Sequence, residues 1–114
     1  MLSKNNRLKK RNDFDAVFRK GLKFKEDFLS LRIVKNNYKT SRFGFIVSQK
    51  VSKKATLRNR IKRRLRAIIR SRLPKTKKGF DVVLITNPGL EGKDFWELEE
   101  ILDDLFKKAG LFQK

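Results

Sequence analysis

The side chains with which proteins most often do acid–base, nucleophilic or metal chemistry are nearly missing from this sequence. It contains neither histidine nor cysteine, which removes the commonest general base, the usual zinc ligands and all thiol chemistry. Asp13, Asp15, Asp27 and Asp81 are candidates for holding a divalent cation, but they follow no recognisable ligand spacing. Isolated acids in a basic chain read instead as caps or local charge partners, so neither a catalytic residue nor a metal ligand is assigned. What the chain has in excess is cations, 31 Lys and Arg against 12 Asp and Glu, for a formal charge of +19. Solubility favours a net charge of only about 2 to 8 for a small domain, so a polyanionic partner is expected.

The charge is unevenly spread. Residues 28 to 80 carry 18 bases and no acid, whereas residues 81 to 114 carry eight acids and four bases. The densest stretch is 57–73, "LRNRIKRRLRAIIRSRL", with eight Arg and Lys. At helical spacing Leu57, Ile61, Leu65, Ile68 and Ile69 fall in one arc that faces a core. Asn59, Arg63, Arg66 and Arg70 then form an outward stripe with Lys62 beside it, and Arg58, Arg60 and Arg64 lie toward the flanks of the arc. Solvated surface helices mix signs so that residues one turn apart attract. Here like charges repel, and a nucleic acid is the expected neutralising partner. With Thr56 or Ser52 as N-cap, the first free N–H groups together with Arg58 and Arg60 would make a phosphate site. Asn59 adds a donor and an acceptor suited to a base edge or a 2′-hydroxyl, although it also reads as a neutral spacer.

Other elements must hold this helix in place. Phe14, Val17 and Phe18 mark one face of a short helix over 13–20 that Gly21 can end. They read as core anchors, or as a stacking surface for single-stranded bases beside a basic groove lined by Lys50, Lys53 and Lys54. From Asp27 onward the period becomes two, with Leu29, Leu31 and Ile33 opposite Phe28, Ser30 and Arg32. "KNNYKTS" is a polar turn, and "RFGFIVSQK" a second strand able to pair with the first as a hairpin. After Pro74, "FDVVLIT" reads as a strand buried on both faces. "KDFWELEEILDDLFKKAG" reads as a final amphipathic helix, acidic early, basic late, with Gly110 closing it. The chain is one domain, 1–114, with a basic and flexible arm over 1–12. The start lacks the apolar stretch of a signal peptide and no run is long enough for a membrane span, so a cytoplasmic protein with no membrane partner is expected.

"RLKKRNDFDAVFRKG" followed by "FGFIVSQKVSKKATLRNRIKRRLR" closely resembles the protein subunit of bacterial ribonuclease P. The most specific part, "RNRIKRRLR", is similar to that family's RNR motif, and the Phe14 and Phe18 pattern before a glycine matches independently. The resemblance implies an α+β fold, a small α/β sandwich in the order α-β-β-(β)-α-β-α, with a further short strand and the RNR helix in a left-handed β-α-β crossover. It implies an accessory subunit of an endoribonuclease whose catalytic centre, with its Mg2+, lies on an RNA subunit that removes the 5′ leader of precursor tRNA; no organic cofactor is implied. The implied partners are ribonuclease P RNA and precursor tRNA, with no protein partner required. By resemblance Arg58, Asn59, Arg60, Lys62, Arg63, Arg66 and Arg70 contact the catalytic RNA, and Phe14, Phe18, Lys50, Lys53 and Lys54 line the leader cleft. Composition alone equally allows a structural RNA binder, such as a ribosomal protein or RNA chaperone, without a processing role. A DNA-binding helix is less suited, because no paired helix precedes residue 57 to build a helix-turn-helix.

Overall fold

A computed structural model describes residues 2–113; Met1 and Lys114, the two ends of the expected domain, lie outside the described residues. The elements are α1 (Arg11–Lys20), β1 (Leu22–Glu26), β2 (Leu29–Lys35), β3 (Arg42–Val47), α2 (Ala55–Arg72), β4 (Phe80–Thr86) and α3 (Phe95–Lys108). They form an α+β sandwich around one four-stranded mixed sheet ordered β1-β2-β4-β3. The further strand that the resemblance implied is therefore β1. It pairs antiparallel with β2 across a two-residue turn, Asp27 and Phe28. Asp27 sits in that turn with a φ of 49°, a left-handed conformation that Asp tolerates better than most residues. The period-two segment consequently starts at Leu29 and not at Asp27.

The expected hairpin between β2 and β3 does not form. β4 lies between them, antiparallel to β2 and parallel to β3. The physical reason is burial: a strand as apolar as "FDVVLIT" gains most in the middle of the sheet, and Val82, Val83 and Leu84 are all fully enclosed there. The polar β2–β3 connection is built to straddle the entering strand. Asn36 Nδ2 donates to Asp81 Oδ1 at 2.7 Å, Ser41 Oγ donates to the Lys77 carbonyl at 2.7 Å, and the Phe80 N–H donates to Ser41 Oγ at 3.1 Å. The chain from β3 through α2 to β4 is thus a β-α-β crossover between parallel neighbours.

Alternation sorts side chains to two cores. Leu29, Leu31, Ile33, Phe43, Val47, Val82 and Leu84 point to the face covered by α2 and α3, where they meet Ile61, Leu65, Ile68, Leu102 and Phe106. On the other face Val83 meets Leu8 and Val17, with Phe14, Phe18, Val34, Ile46 and Ile85 partly buried around them. The helix ends follow sequence chemistry at α3: Asp94 and Glu97 form a reciprocal capping box. At its other end Gly110, at φ 69°, allows the Leu111 N–H to reach the Phe106 carbonyl at 2.9 Å and the Gly110 N–H the Lys107 carbonyl at 3.1 Å, the bond pattern of a Schellman cap. At α2 the expectation fails. Its N-cap is Lys54, with no side-chain cap bond, while Thr56 lies inside the first turn and Ser52 Oγ accepts instead from the Lys54 N–H.

The residues read as an arm are docked. Leu2 is buried in the main core and Leu8 in the smaller one, the Leu8 N–H donates to the Phe43 carbonyl at 2.9 Å, and Asn6 Nδ2 donates to the Ser41 carbonyl at 2.9 Å. Two well-spaced leucines in a basic segment provide the anchoring, and they lay Arg7 beside the edge strand β3.

One of the eight cations of 57–73 serves the fold. Arg72 donates from Nε to Asp103 Oδ1 at 2.9 Å and from Nη2 to Glu99 Oε2 at 2.7 Å, tying α2 to α3. These hydrogen bonds, Asp103 first, hold its pKa above the ordinary arginine value. Arg72, which was not among the residues expected to meet RNA, is neutralised within the chain because its acids arrive from α3. Arg72→Met is expected to cost about 1 to 3 kcal/mol of folding stability, since two partly buried carboxylates lose their shared donor. The exposed Arg70→Gln is expected to change stability by less than about 0.5 kcal/mol. Urea denaturation of both variants checks the contrast.

Candidate RNA interface

α2 presents its remaining cations to solvent because its apolar arc is fixed against the sheet. Asn59, Arg60, Arg63 and Arg70 are exposed, and Arg58, Lys62, Arg64 and Arg66 are half-buried. Among the described residues none of these seven bases has a carboxylate within 4.0 Å. Two placements differ from the helical projection. Arg60 is more open than its flanking position suggested, and Arg66 leans onto the Phe45 ring, 5.6 Å from its centroid, because β3 places that aromatic beside the helix. Arg58 folds back, its Nη1 donating to the Ser52 carbonyl at 2.9 Å, which braces the turn before the helix. The first-turn N–H groups of α2 keep no side-chain cap.

Across the edge of β3, Phe14 of α1 brings the tip of its ring against Gly44. A Cβ built at Gly44 would stand 2.4 Å from Phe14 Cζ, so glycine is what lets the ring approach the strand. Phe14, Gly44 and Phe45 share a cleft of about 320 Å³ with Arg7, Lys9, Lys62 and Arg66. Phe18 lies one turn on, outside that lining, with the Arg32 guanidinium 5.1 Å from its ring and Arg32 Nη1 donating to the Phe18 carbonyl at 3.1 Å. Lys50, Lys53 and Lys54 are exposed in the segment between β3 and α2 and do not line the same cleft. The cations that do, Arg7 and Lys9, come from the docked N-terminal segment. Sequence reading missed them because nothing in "NNRLKK" says that Leu8 is a buried anchor; its spacing from Leu2 was the available signal.

The basic surface is continuous. Arg7 and Lys9 also border a second depression with Lys4, Lys10, Lys39 and Tyr38, and Arg66 also borders a groove with Arg60, Arg63 and Arg64 on α2. Cations therefore run from the N-terminal segment over the β3 edge to the outer face of α2, with the rings of Phe14 and Phe45 set among them. Two of the four aspartates weighed as metal ligands are occupied by one arginine: Arg42 donates to Asp81 through Nε at 2.9 Å and Nη2 at 2.6 Å, and to Asp13 at 3.4 Å. The Asp81 hydrogen bond raises the Arg42 pKa above its usual value. Among the described residues no group of three or more acids is placed to hold a metal ion. Among the same residues no helix is long and apolar enough to cross a membrane.

This arrangement can bind a polyanion and stack bases, and comparison with known proteins identifies the lineage. The profile of the Ribonuclease P family matches residues 2–110. The chain belongs to the bacterial ribonuclease P protein family. A ribonuclease P protein component from Synechocystis sp. is 43% identical over 111 residues, covering 96% of this chain and 90% of the relative. One from Syntrophomonas wolfei is 38% identical and covers all of this chain and 95% of its own. The ribonuclease P protein of Thermotoga maritima, solved in complex with 1-(4-fluorophenyl)-2-thiourea, superposes with a TM-score of 0.83 at 36% identity, covering 90% of this chain and 98% of that one. The general role is thus that of a ribonuclease P protein component, an RNA-binding part of a tRNA-processing ribonucleoprotein.

Proposed function

We propose that this chain assembles with a ribonuclease P RNA and receives the 5′ leader of precursor tRNA, promoting Mg2+-dependent hydrolysis that leaves the mature tRNA 5′ end. The single observation that supports it most is the unbroken basic surface that passes from α2 over the β3 edge to the cleft of Phe14. Arg58, Asn59, Arg60, Lys62, Arg63, Arg66 and Arg70 would face the RNA subunit, their bases neutralising phosphates and Asn59 hydrogen-bonding a base edge or 2′-hydroxyl. Phe14, and Phe18 beside it, would hold unpaired leader nucleotides, which a mature tRNA lacks. Arg7 and Lys9 would neutralise the leader backbone in that cleft, with Lys50, Lys53 and Lys54 guiding its approach.

On this reading the chain binds and positions, and the scissile bond is cut at the RNA with RNA-held magnesium. The side chains that line the cleft are cations, rings and Leu8, with no carboxylate among them to activate water. Reconstitution is the test: adding the protein to its ribonuclease P RNA should raise precursor cleavage most at low magnesium, while purified protein alone should leave the precursor intact. No stimulation by the folded protein would refute the processing role and leave the structural RNA binder. RNA-free cleavage lost on mutating its acids would refute the division of labour.

A further inference from the structure

Trp96 is the most exposed large apolar side chain among those described, at 76%, and its neighbour Phe95 is exposed at 37%. A lone exposed ring needs no explanation, but these two occur together. Their centroids are 6.2 Å apart in an edge-to-face arrangement, and Phe95 walls the groove whose other lining residues are Arg60, Arg63, Arg64, Arg66 and Ala67 of α2. The groove encloses about 650 Å³, within the range of sites for nucleotide-sized ligands.

The choice of residue at this point of α3 is informative. One turn further along, the same helix offers Glu99 to α2, and that carboxylate pairs with Arg72. A carboxylate at 95 would face the arginines in the same way. The sequence places a ring there, which leaves the guanidiniums open to an outside anion and gives them an aromatic wall. The nearby acids of the first turn are engaged elsewhere, Asp94 and Glu97 in the capping box. Ala67 keeps the floor of the groove low, where a longer side chain would fill it.

We propose that Phe95, Trp96 and the Arg60–Arg63–Arg64 wall form a stacking site for an unpaired RNA nucleotide, with the base against the rings and its flanking phosphates on the guanidiniums. Arginine and aromatic groups together favour single-stranded nucleic acid, since every base has a stacking face and every linkage a charge. The site shares Arg66 with the leader cleft and rests on the RNA-binding reading of α2. It adds α3 to the RNA-contacting surface, an element whose overall charge is acidic.

Trp96 is the only tryptophan in the chain, so it reports on its own site. The full-length protein is titrated with a short single-stranded RNA and with a ribose-phosphate oligomer of the same length that has no bases. Trp96 fluorescence and the anisotropy of the labelled oligomer are followed together. The RNA should quench Trp96 and bind more tightly than the abasic oligomer. Phe95→Leu and Trp96→Leu should each remove roughly five- to 150-fold of that advantage, the range for one stacked base, while abasic binding stays unchanged. Both rings are open enough that the fold should survive, and Ala67→Glu, which puts an acid among the guanidiniums from α2, should weaken binding of both oligomers and abolish the quenching of Trp96 by RNA without touching either ring. Equal quenching by both oligomers, or ring variants that keep the full preference for bases, would overturn the stacking site and leave the electrostatic reading of α2 standing. If neither oligomer binds, the RNA-binding reading fails and the site with it.

Discussion

Arg63, Arg66 and Arg70 changed together to Gln should leave a folded protein that assembles with ribonuclease P RNA far more weakly and with a flatter salt dependence. If each neutralises one phosphate, the slope of log K against log salt should fall by about 2 to 3, at roughly 0.7 to 0.9 per contact. Arg63 and Arg70 are exposed and free of carboxylate partners among the described residues, so their removal costs the fold little. Arg66 is different, because it rests on Phe45. Losing that cation–π contact should add a stability cost of about 0.5 to 1 kcal/mol, visible in denaturation of the single variant. Asn59→Ala should lower affinity while leaving the slope nearly unchanged, because it removes hydrogen bonds and no charge. Titrations at several salt concentrations decide the matter: an unchanged slope in the triple variant would mean that this face of α2 meets solvent in the complex.

The sequence carries no side chain with an ordinary pKa between about 5 and 8, there being neither His nor Cys to titrate near neutrality. The shifts that the structure imposes work in the same direction. Arg42 and Arg72 are raised by their carboxylate partners. Stability from a raised cation is fully present below its unfolded pKa and is lost only as pH rises through the folded one, beyond the neutral range for arginine. RNA affinity at fixed salt should accordingly stay nearly level across neutral pH.

What was legible in the sequence was whatever depends on period and local charge. The apolar arc of α2 could be read because Ile61, Leu65, Ile68 and Ile69 repeat at helical spacing within a helix of 18 residues. The alternation of Leu29, Leu31 and Ile33 likewise showed the core face of β2. β1 was hidden for a physical reason: it is an edge strand, "LKFKE", with Leu22 exposed and Phe24 only half-buried, and edge strands are commonly blunted with lysines against further pairing. Strand order was hidden because neighbours in sequence pair by default. The contrary signal was the unbroken apolar character of β4, which belongs in the centre of a sheet. Within the candidate interface, α2 was legible and the cleft was not, because Arg7 and Lys9 reach it only through docking of Leu8 on the edge of β3. In the sequence Phe95 is only part of a final amphipathic helix, and the packing of α3 beside α2 is what sets it among arginines.

The cleft can be tested from both of its walls. Phe14→Ala should weaken binding of precursor tRNA to the assembled ribonucleoprotein more than binding of mature tRNA, by about 1 to 3 kcal/mol for a lost stacking contact. Phe14 is also a partly buried core group, and truncating a fully buried Phe costs about 3 to 5 kcal/mol of stability, so a smaller penalty is expected and must be measured beside the binding. Gly44→Ala reaches the same ring without deleting it. The new methyl would meet Phe14 at 2.4 to 2.6 Å, closer than real structures hold, and Leu8 at a tight 3.3 Å, so the ring must swing off the strand. Overpacking of this kind costs about 1 to 3 kcal/mol, and it should selectively weaken precursor binding as Phe14→Ala does. Because one variant deletes the ring and the other only displaces it, a shared loss of preference for the precursor assigns the effect to the ring's position. If both folded variants bind precursor and mature tRNA with equally reduced affinity, the leader does not occupy this cleft, and Phe14 serves only to hold α1 on the sheet.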